Sequence, residues 1–93
     1  MPEPHIKGES AGDRLKRLRM RSIRRGIREM DLILGRFAET ALGDLSEDEL
    51  QLYDALLSEN DHDLYQWVTG QAAAPDRFAA LIGRIARIAT PAG

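Results

Sequence analysis

The chain has 93 residues, 43% of them apolar and 30% charged, with a formal net charge of -2 and no cysteine. That length allows one modest core but not a core plus a separate substrate lobe, and the missing cysteine excludes disulfides, thiolate metal sites and thiol nucleophiles. Aromatic residues make up only 5%, so the core must come from Leu, Ile and Ala, which favours helices over sheets.

Residues 1–12 (MPEPHIKGESAG) combine Pro, Gly and Glu without an apolar signal core and read as a flexible tail. A single domain is expected over 13–90, with 91–93 as a short C-terminal tail. The first helix is expected from Asp13, as N-cap, to about Arg24, with Leu15, Leu18 and Ile23 forming a thin apolar stripe on a cationic cylinder. Gly26 interrupts. A second helix follows with Ile27, Met30, Ile33, Leu34, Phe37, Ala38, Ala41 and Leu42 at helical spacing, and Gly43 stands where its stop belongs. Ser46 and Glu49 form an S-x-x-E capping box for the third helix, with Leu45 and Leu50 placed as a hydrophobic staple. This helix carries Tyr53, Leu56 and Leu57 and fades at Ser58-Glu59-Asn60. Asp61 or Asp63 is expected to cap a short fourth helix bearing Leu64, Trp67 and Val68, which Gly70 ends. Pro75-Asp76 opens a fifth helix with a stripe of Phe78, Leu81, Ile82, Ile85 and Ile88, which Thr90-Pro91 stops. Helices this short do not stand alone in water. The expected fold is all-α, a compact bundle of five short helices packed through their stripes.

The charges are segregated. From Arg14 to Arg28 the chain carries eight basic residues and no acidic one, and from Asp44 to Asp63 eight acidic residues and no basic one. The two poles either pair internally or meet partners.

The inventory argues against catalysis. There are two histidines; His5 lies in the tail and His62 in a helix-capping turn, so an oriented nucleophile–base pair has no residues to build it. Asp61-His62-Asp63 lacks further ligands nearby for a metal, and helix capping explains the two aspartates better. No G-x-G-x-x-G or Walker pattern appears. No apolar run approaches the roughly 18 residues of a membrane span, so no membrane insertion is expected and the cytoplasm is the simplest location. The basic first helix suits phosphate, and a nucleic-acid-binding regulator acting through Arg14, Lys16, Arg17, Arg19 and Arg21 is the alternative function. It lacks interleaved aromatics for base stacking. A solvated face that partly neutralises the acidic third helix, or a surface for a protein partner, accounts for the same charges.

The segment Arg24-Arg25-Gly26-Ile27-Arg28-Glu29-Met30-Asp31 resembles the R-G-x-x-E signature of the succinate dehydrogenase flavinylation-factor family. The resemblance continues through Leu34 and Phe37, Leu45-Ser46-Glu47-Asp48-Glu49, Tyr53, Leu56-Leu57, and Asp61-x-Asp63-Leu64-x-x-Trp67 with Gly70. It spans about residues 14 to 70. Met30, Tyr53 and His62 depart from the residues usual there (Leu, Phe and Pro), and none touches the signature.

The resemblance implies a five-helix, non-enzymatic assembly factor that binds the flavoprotein subunit of succinate dehydrogenase, and in some bacteria that of fumarate reductase. It implies that the factor promotes covalent attachment of FAD to a His of that subunit and holds no cofactor tightly itself. A monomer in a one-to-one complex is expected. Carried over by position, Arg25, Gly26 and Glu29 form the partner-binding surface, with Arg24, Arg28 and Asp31 as neighbours. Read without the resemblance, Gly26 also serves as a helix C-cap, and Arg25 and Glu29 as an exposed pair at i, i+4 spacing.

Overall fold

A serine hydroxyl three residues ahead of a free N–H is a helix start, and Ser10 supplies the first. Its Oγ accepts from the Asp13 N–H at 3.0 Å and its carbonyl from the Arg14 N–H at 2.9 Å. The first helix therefore begins ahead of Asp13, the expected cap. In this computed structural model, which describes residues 9–23 and 25–89, the helices are α1 (Ala11–Ile23), α2 (Arg28–Ala41), α3 (Glu47–Leu56), α4 (Asp61–Val68) and α5 (Asp76–Ala89). A 3-10 turn, Leu42–Asp44, follows α2. The fold is the expected all-α bundle. Most of the expected N-terminal tail, Arg24, the expected Thr90-Pro91 stop and the C-terminal residues 91–93 lie outside the described residues.

The third helix starts as its sequence dictates. Ser46 Oγ accepts from the Glu49 N–H at 3.2 Å and Glu49 Oε1 accepts from the Ser46 N–H at 2.8 Å, a reciprocal capping box. The backbone bond from Ser46, with help from Arg84, holds the Glu49 carboxyl below its ordinary range. Three other boundaries fall differently from expectation. Asn60, not Asp61 or Asp63, caps α4, with Oδ1 accepting from the His62 and Asp63 N–H groups at 2.8 and 3.4 Å. The two aspartates sit in the first turn, where the helix dipole still favours them. Gly43 does not stop α2 in a left-handed conformation; the last turn tightens instead, with the Leu45 N–H donating to the Leu42 carbonyl at 3.3 Å. Gly26 lacks a left-handed φ as well, so it is no C-cap of that kind. Gly70 has one, at φ 81°. Its N–H reaches the Trp67 carbonyl at 3.3 Å while the Gln71 N–H reaches Gln66 at 2.8 Å, the paired bonds of a Schellman end.

The second helix is the spine, packed against α1, α4 and α5. It buries Met30, Leu34, Phe37, Ala38 and Ala41 on one stripe, met by Leu18, Tyr53, Leu56, Leu64, Phe78, Leu81, Ile82 and Ile85 from the other helices. Each large side chain so buried contributes about 1.5–3 kcal/mol. Two ring pairs help lock the layers: Phe37 tilts on Tyr53 with centroids 5.4 Å apart, and half-buried Trp67 stacks on Phe78 at 6.2 Å.

One polar pair lies inside. Tyr53 and Ser22 are both fully buried, with their oxygens 2.6 Å apart. The Ser22 hydroxyl donates to the Leu18 carbonyl at 2.7 Å, so its single proton is taken and Tyr53 must be the donor to Ser22. Ser22 is what makes the Tyr53 hydroxyl tolerable in the core. Burial pushes the Tyr53 phenol up to about 12.

Candidate partner-binding site

The two electrical poles of the chain mostly meet each other. Arg14 Nη1 reaches both Glu47 oxygens at 2.8 Å. Arg17 bridges Glu9 at 2.8 Å and Asp54 at 3.0 Å, and Arg21 adds bonds to Asp54 and to the Ser58 hydroxyl. Hydrogen bonds first with Glu9 and then with Asp54 raise the Arg17 guanidinium above its ordinary range, so it is charged at any working pH. Arg14, Arg17 and Arg21 share one face of α1 at i, i+3, i+7 spacing. That face is committed inside the fold. Lys16 and Arg19 point outward, so three of the five cations a nucleic-acid reading needs are already neutralised by acids of this chain.

The R-G-x-x-E segment forms the turn between α1 and α2. Arg25 does not pair with Glu29. It precedes the first residue of α2, so the i, i+4 relation is not helical there. Its side chain, only 10% exposed, runs the other way. Nε donates to Asp61 Oδ1 at 2.8 Å, Nη1 to the Leu57 carbonyl at 2.7 Å and Nη2 to the Glu59 carbonyl at 3.2 Å. Leu57 and Glu59 lie just past the end of α3, where carbonyls lack helical partners. One guanidinium thus ties the end of α3 to the start of α4. The Gly26 N–H donates to the other Asp61 oxygen at 2.8 Å, and the Arg25 N–H to Asp31 Oδ1 at 2.5 Å.

What faces outward is the next stretch. Arg28 and Glu29 are exposed in the first turn of α2, and neither forms an ion pair with a described residue. The structure thus divides the expected surface. Arg28 and Glu29 are presented, Gly26 lies at the exposed corner, and Arg25 and Asp31 hold the turn from within; Arg24 lies outside the described residues.

One turn further along α2, Leu32 is 64% exposed, and across from it Ile23 at the end of α1 is 50% exposed. They line a groove of about 670 Å³ with Arg19, Gly35, Arg36 and the end of α5. Gly35 is part of its lining, and a Cβ there would stand 3.2 Å from the Ile23 side chain. Sequence reasoning missed the groove because Ile23 counted toward the core stripe and Leu32 toward nothing. The signal was present in Leu32, an apolar residue out of phase with the buried set of α2. It missed Asp61 as well, reading a helix cap where the carboxylate holds the turn ahead of α2.

Among the described residues no helix is long and apolar enough to cross a membrane. A model of the family described as flavinator of succinate dehydrogenase matches residues 16–89. The chain is similar to proteins named succinate dehydrogenase assembly factor 2, mitochondrial. That of Drosophila grimshawi is 41% identical over 81 residues, covering 84% of this chain and 55% of the relative. That of Meyerozyma guilliermondii is 43% identical over 74 residues, covering 76% and 55%. That of Debaryomyces hansenii is 48% identical over 62 residues, covering 67% and 44%. The chain spans about half the length of the curated relatives it matches.

Proposed function

The chain belongs to the family of flavinators of succinate dehydrogenase, and from that membership we propose that it is a non-catalytic assembly factor which binds the enzyme's flavoprotein subunit and promotes its covalent flavinylation. The observation that carries the site is the presentation of Arg28 and Glu29, neither ion-paired with another described residue, beside the exposed side chains of Leu32 and Ile23, on a turn held rigid beneath. Exposed charge next to exposed apolar surface suits a protein partner. A flavoprotein is therefore favoured over a nucleic acid, for which Arg14, Arg17 and Arg21 are already spent on acids of α3 and Glu9.

The mechanism is differential binding. The factor stabilises the flavoprotein conformer in which the acceptor His meets the flavin, and so raises the fraction of that conformer without supplying a reacting group. FAD stays with the flavoprotein, and this chain holds none tightly. A monomer acting one-to-one suits the small size of the surface, and the fumarate reductase flavoprotein, which must meet the same requirement, is a second client. The relatives are named as mitochondrial; this chain works where its flavoprotein folds, which we take to be the cytoplasm.

Co-expression with the host's succinate dehydrogenase flavoprotein subunit, with and without Glu29→Ala, tests the reading by flavin fluorescence on a denaturing gel. A fluorescent band that requires the factor and fades with Glu29→Ala is expected. Equal bands with and without any factor, at limiting FAD, would refute it.

A further inference from the structure

We propose that Asp61 is a positioning residue for Glu29. Its carboxylate, gripped by Arg25 and Gly26 in the turn ahead of α2, sets the direction in which that helix leaves the turn. It thereby sets where Glu29 stands on the surface. The proposal rests on the reading above, that Glu29 contacts the flavoprotein.

Three observations point to it. First, both Asp61 oxygens are directed at the turn: Oδ1 accepts from Arg25 Nε at 2.8 Å and Oδ2 from the Gly26 N–H at 2.8 Å. A charged bidentate acceptor constrains orientation more than a single neutral bond does. Second, α4 does not need Asp61 for its start, because Asn60 caps it. Third, α2 has no cap of its own to fix its entry: the residue at its N-cap is Ile27, extended at φ −112° and ψ 124°, with no side-chain bond. What fixes the entry is Asp61, reaching over from α4, together with Asp31 of α2 itself, which accepts the Arg25 N–H at 2.5 Å. Glu29 follows Gly26 by three residues, so a change in the corner swings the carboxylate directly. A Cβ on Gly26 would stand 3.7 Å from Asp61 Oδ2, in van der Waals contact, so corner and carboxylate already touch.

A residue acting through Glu29 behaves differently in a mutant cycle from one that merely supports the fold. The measurement is the Kd of the full chain for the host's succinate dehydrogenase flavoprotein subunit. It is made for wild type, Glu29→Ala, Asp61→Asn and the double variant, with Ser46→Ala as a control that loosens α3 at its capping box, far from the turn. Glu29→Ala is expected to weaken binding about tenfold or more, and Asp61→Asn about fivefold. In the Glu29→Ala background Asp61→Asn should cost less than about twofold, because the group it positions is gone. Ser46→Ala should lower the melting temperature and leave Kd unchanged.

An Asp61→Asn loss that multiplies in full in the double variant, or wild-type affinity for Asp61→Asn alone, overturns the positioning role and leaves the Glu29 surface intact. A loss from Ser46→Ala equal to that from Asp61→Asn also overturns it, since general loosening would then be the cause. Wild-type affinity for Glu29→Ala removes the contact surface and this proposal together. If Asp61→Asn does not fold, Asp61→Glu keeps the charge and displaces its oxygens by one methylene, and the same cycle is read with it.

Discussion

Replacing Arg25 with Ala separates the two jobs within the R-G-x-x-E segment, because the structure gives this arginine an internal one. The substitution removes an ion pair whose side chains are 10% and 15% exposed, and two charged hydrogen bonds to the Leu57 and Glu59 carbonyls. A fully buried pair broken on one side costs about 3–5 kcal/mol. Asp61 keeps the Gly26 N–H and enough exposure to recruit water, so the ion pair is discounted to about 1–2 kcal/mol. The two carbonyl bonds add about 1 kcal/mol each once water replaces part of them. The expected loss is about 3 kcal/mol, a large share of the roughly 5–10 kcal/mol that holds a domain of this size. At about 4–8 °C per kcal/mol the melting temperature should fall by more than about 10 °C. Circular dichroism at 222 nm during heating reads it directly. Glu29→Ala, an exposed change, should stay within about 0.5 kcal/mol of wild type in the same assay. A shift below about 3 °C for Arg25→Ala would refute the claim that its guanidinium is spent internally, and would return it to the partner-facing role that the sequence suggested.

Alkaline pH probes the buried tyrosine. With the folded phenol pushed up to about 12 and the unfolded one near 10, the folded state holds a proton that the unfolded state releases. Stability therefore falls as pH rises from about 10 to about 12, by up to roughly 2–3 kcal/mol. Urea midpoints across that range should show the loss in wild type and not in Tyr53→Phe, which itself costs about 1 kcal/mol at neutral pH through the Ser22 bond. Gly70→Ala forces a Cβ into a left-handed conformation, at φ 81°, and should lower the urea midpoint by about 1 kcal/mol equivalent with an unchanged slope. Leu32→Glu lies on a side chain 64% exposed, so the melting temperature should barely move while Kd for the flavoprotein subunit rises about tenfold or more. An unchanged Kd would place the groove outside the interface.

Much of this protein is written in local chemistry. The Ser46–Glu49 box, the Gly70 stop and the apolar stripes of α2 and α5 each follow from residues within one or two turns of each other, where backbone geometry alone decides which side chain meets which N–H or which face. Those features make an all-α bundle legible from sequence, and the R-G-x-x-E turn with its spaced blocks points to the family. The pairings between distant segments were not legible. Arg25 is 36 residues from Asp61, and nothing in the spacing says that the guanidinium reaches back to the α3–α4 junction rather than forward to Glu29. Asp61 read as a cap because a carboxylate at a helix start is usually one; only the packing of α4 against α2 brings it beneath the turn. In the same way, the basic face of α1 had several readings until the fold set Glu47 and Asp54 against it. Charge reaches across sequence as easily as along it, so the sequence determined which groups exist and which helices carry them, and the tertiary structure decided which are consumed inside and which remain for a partner.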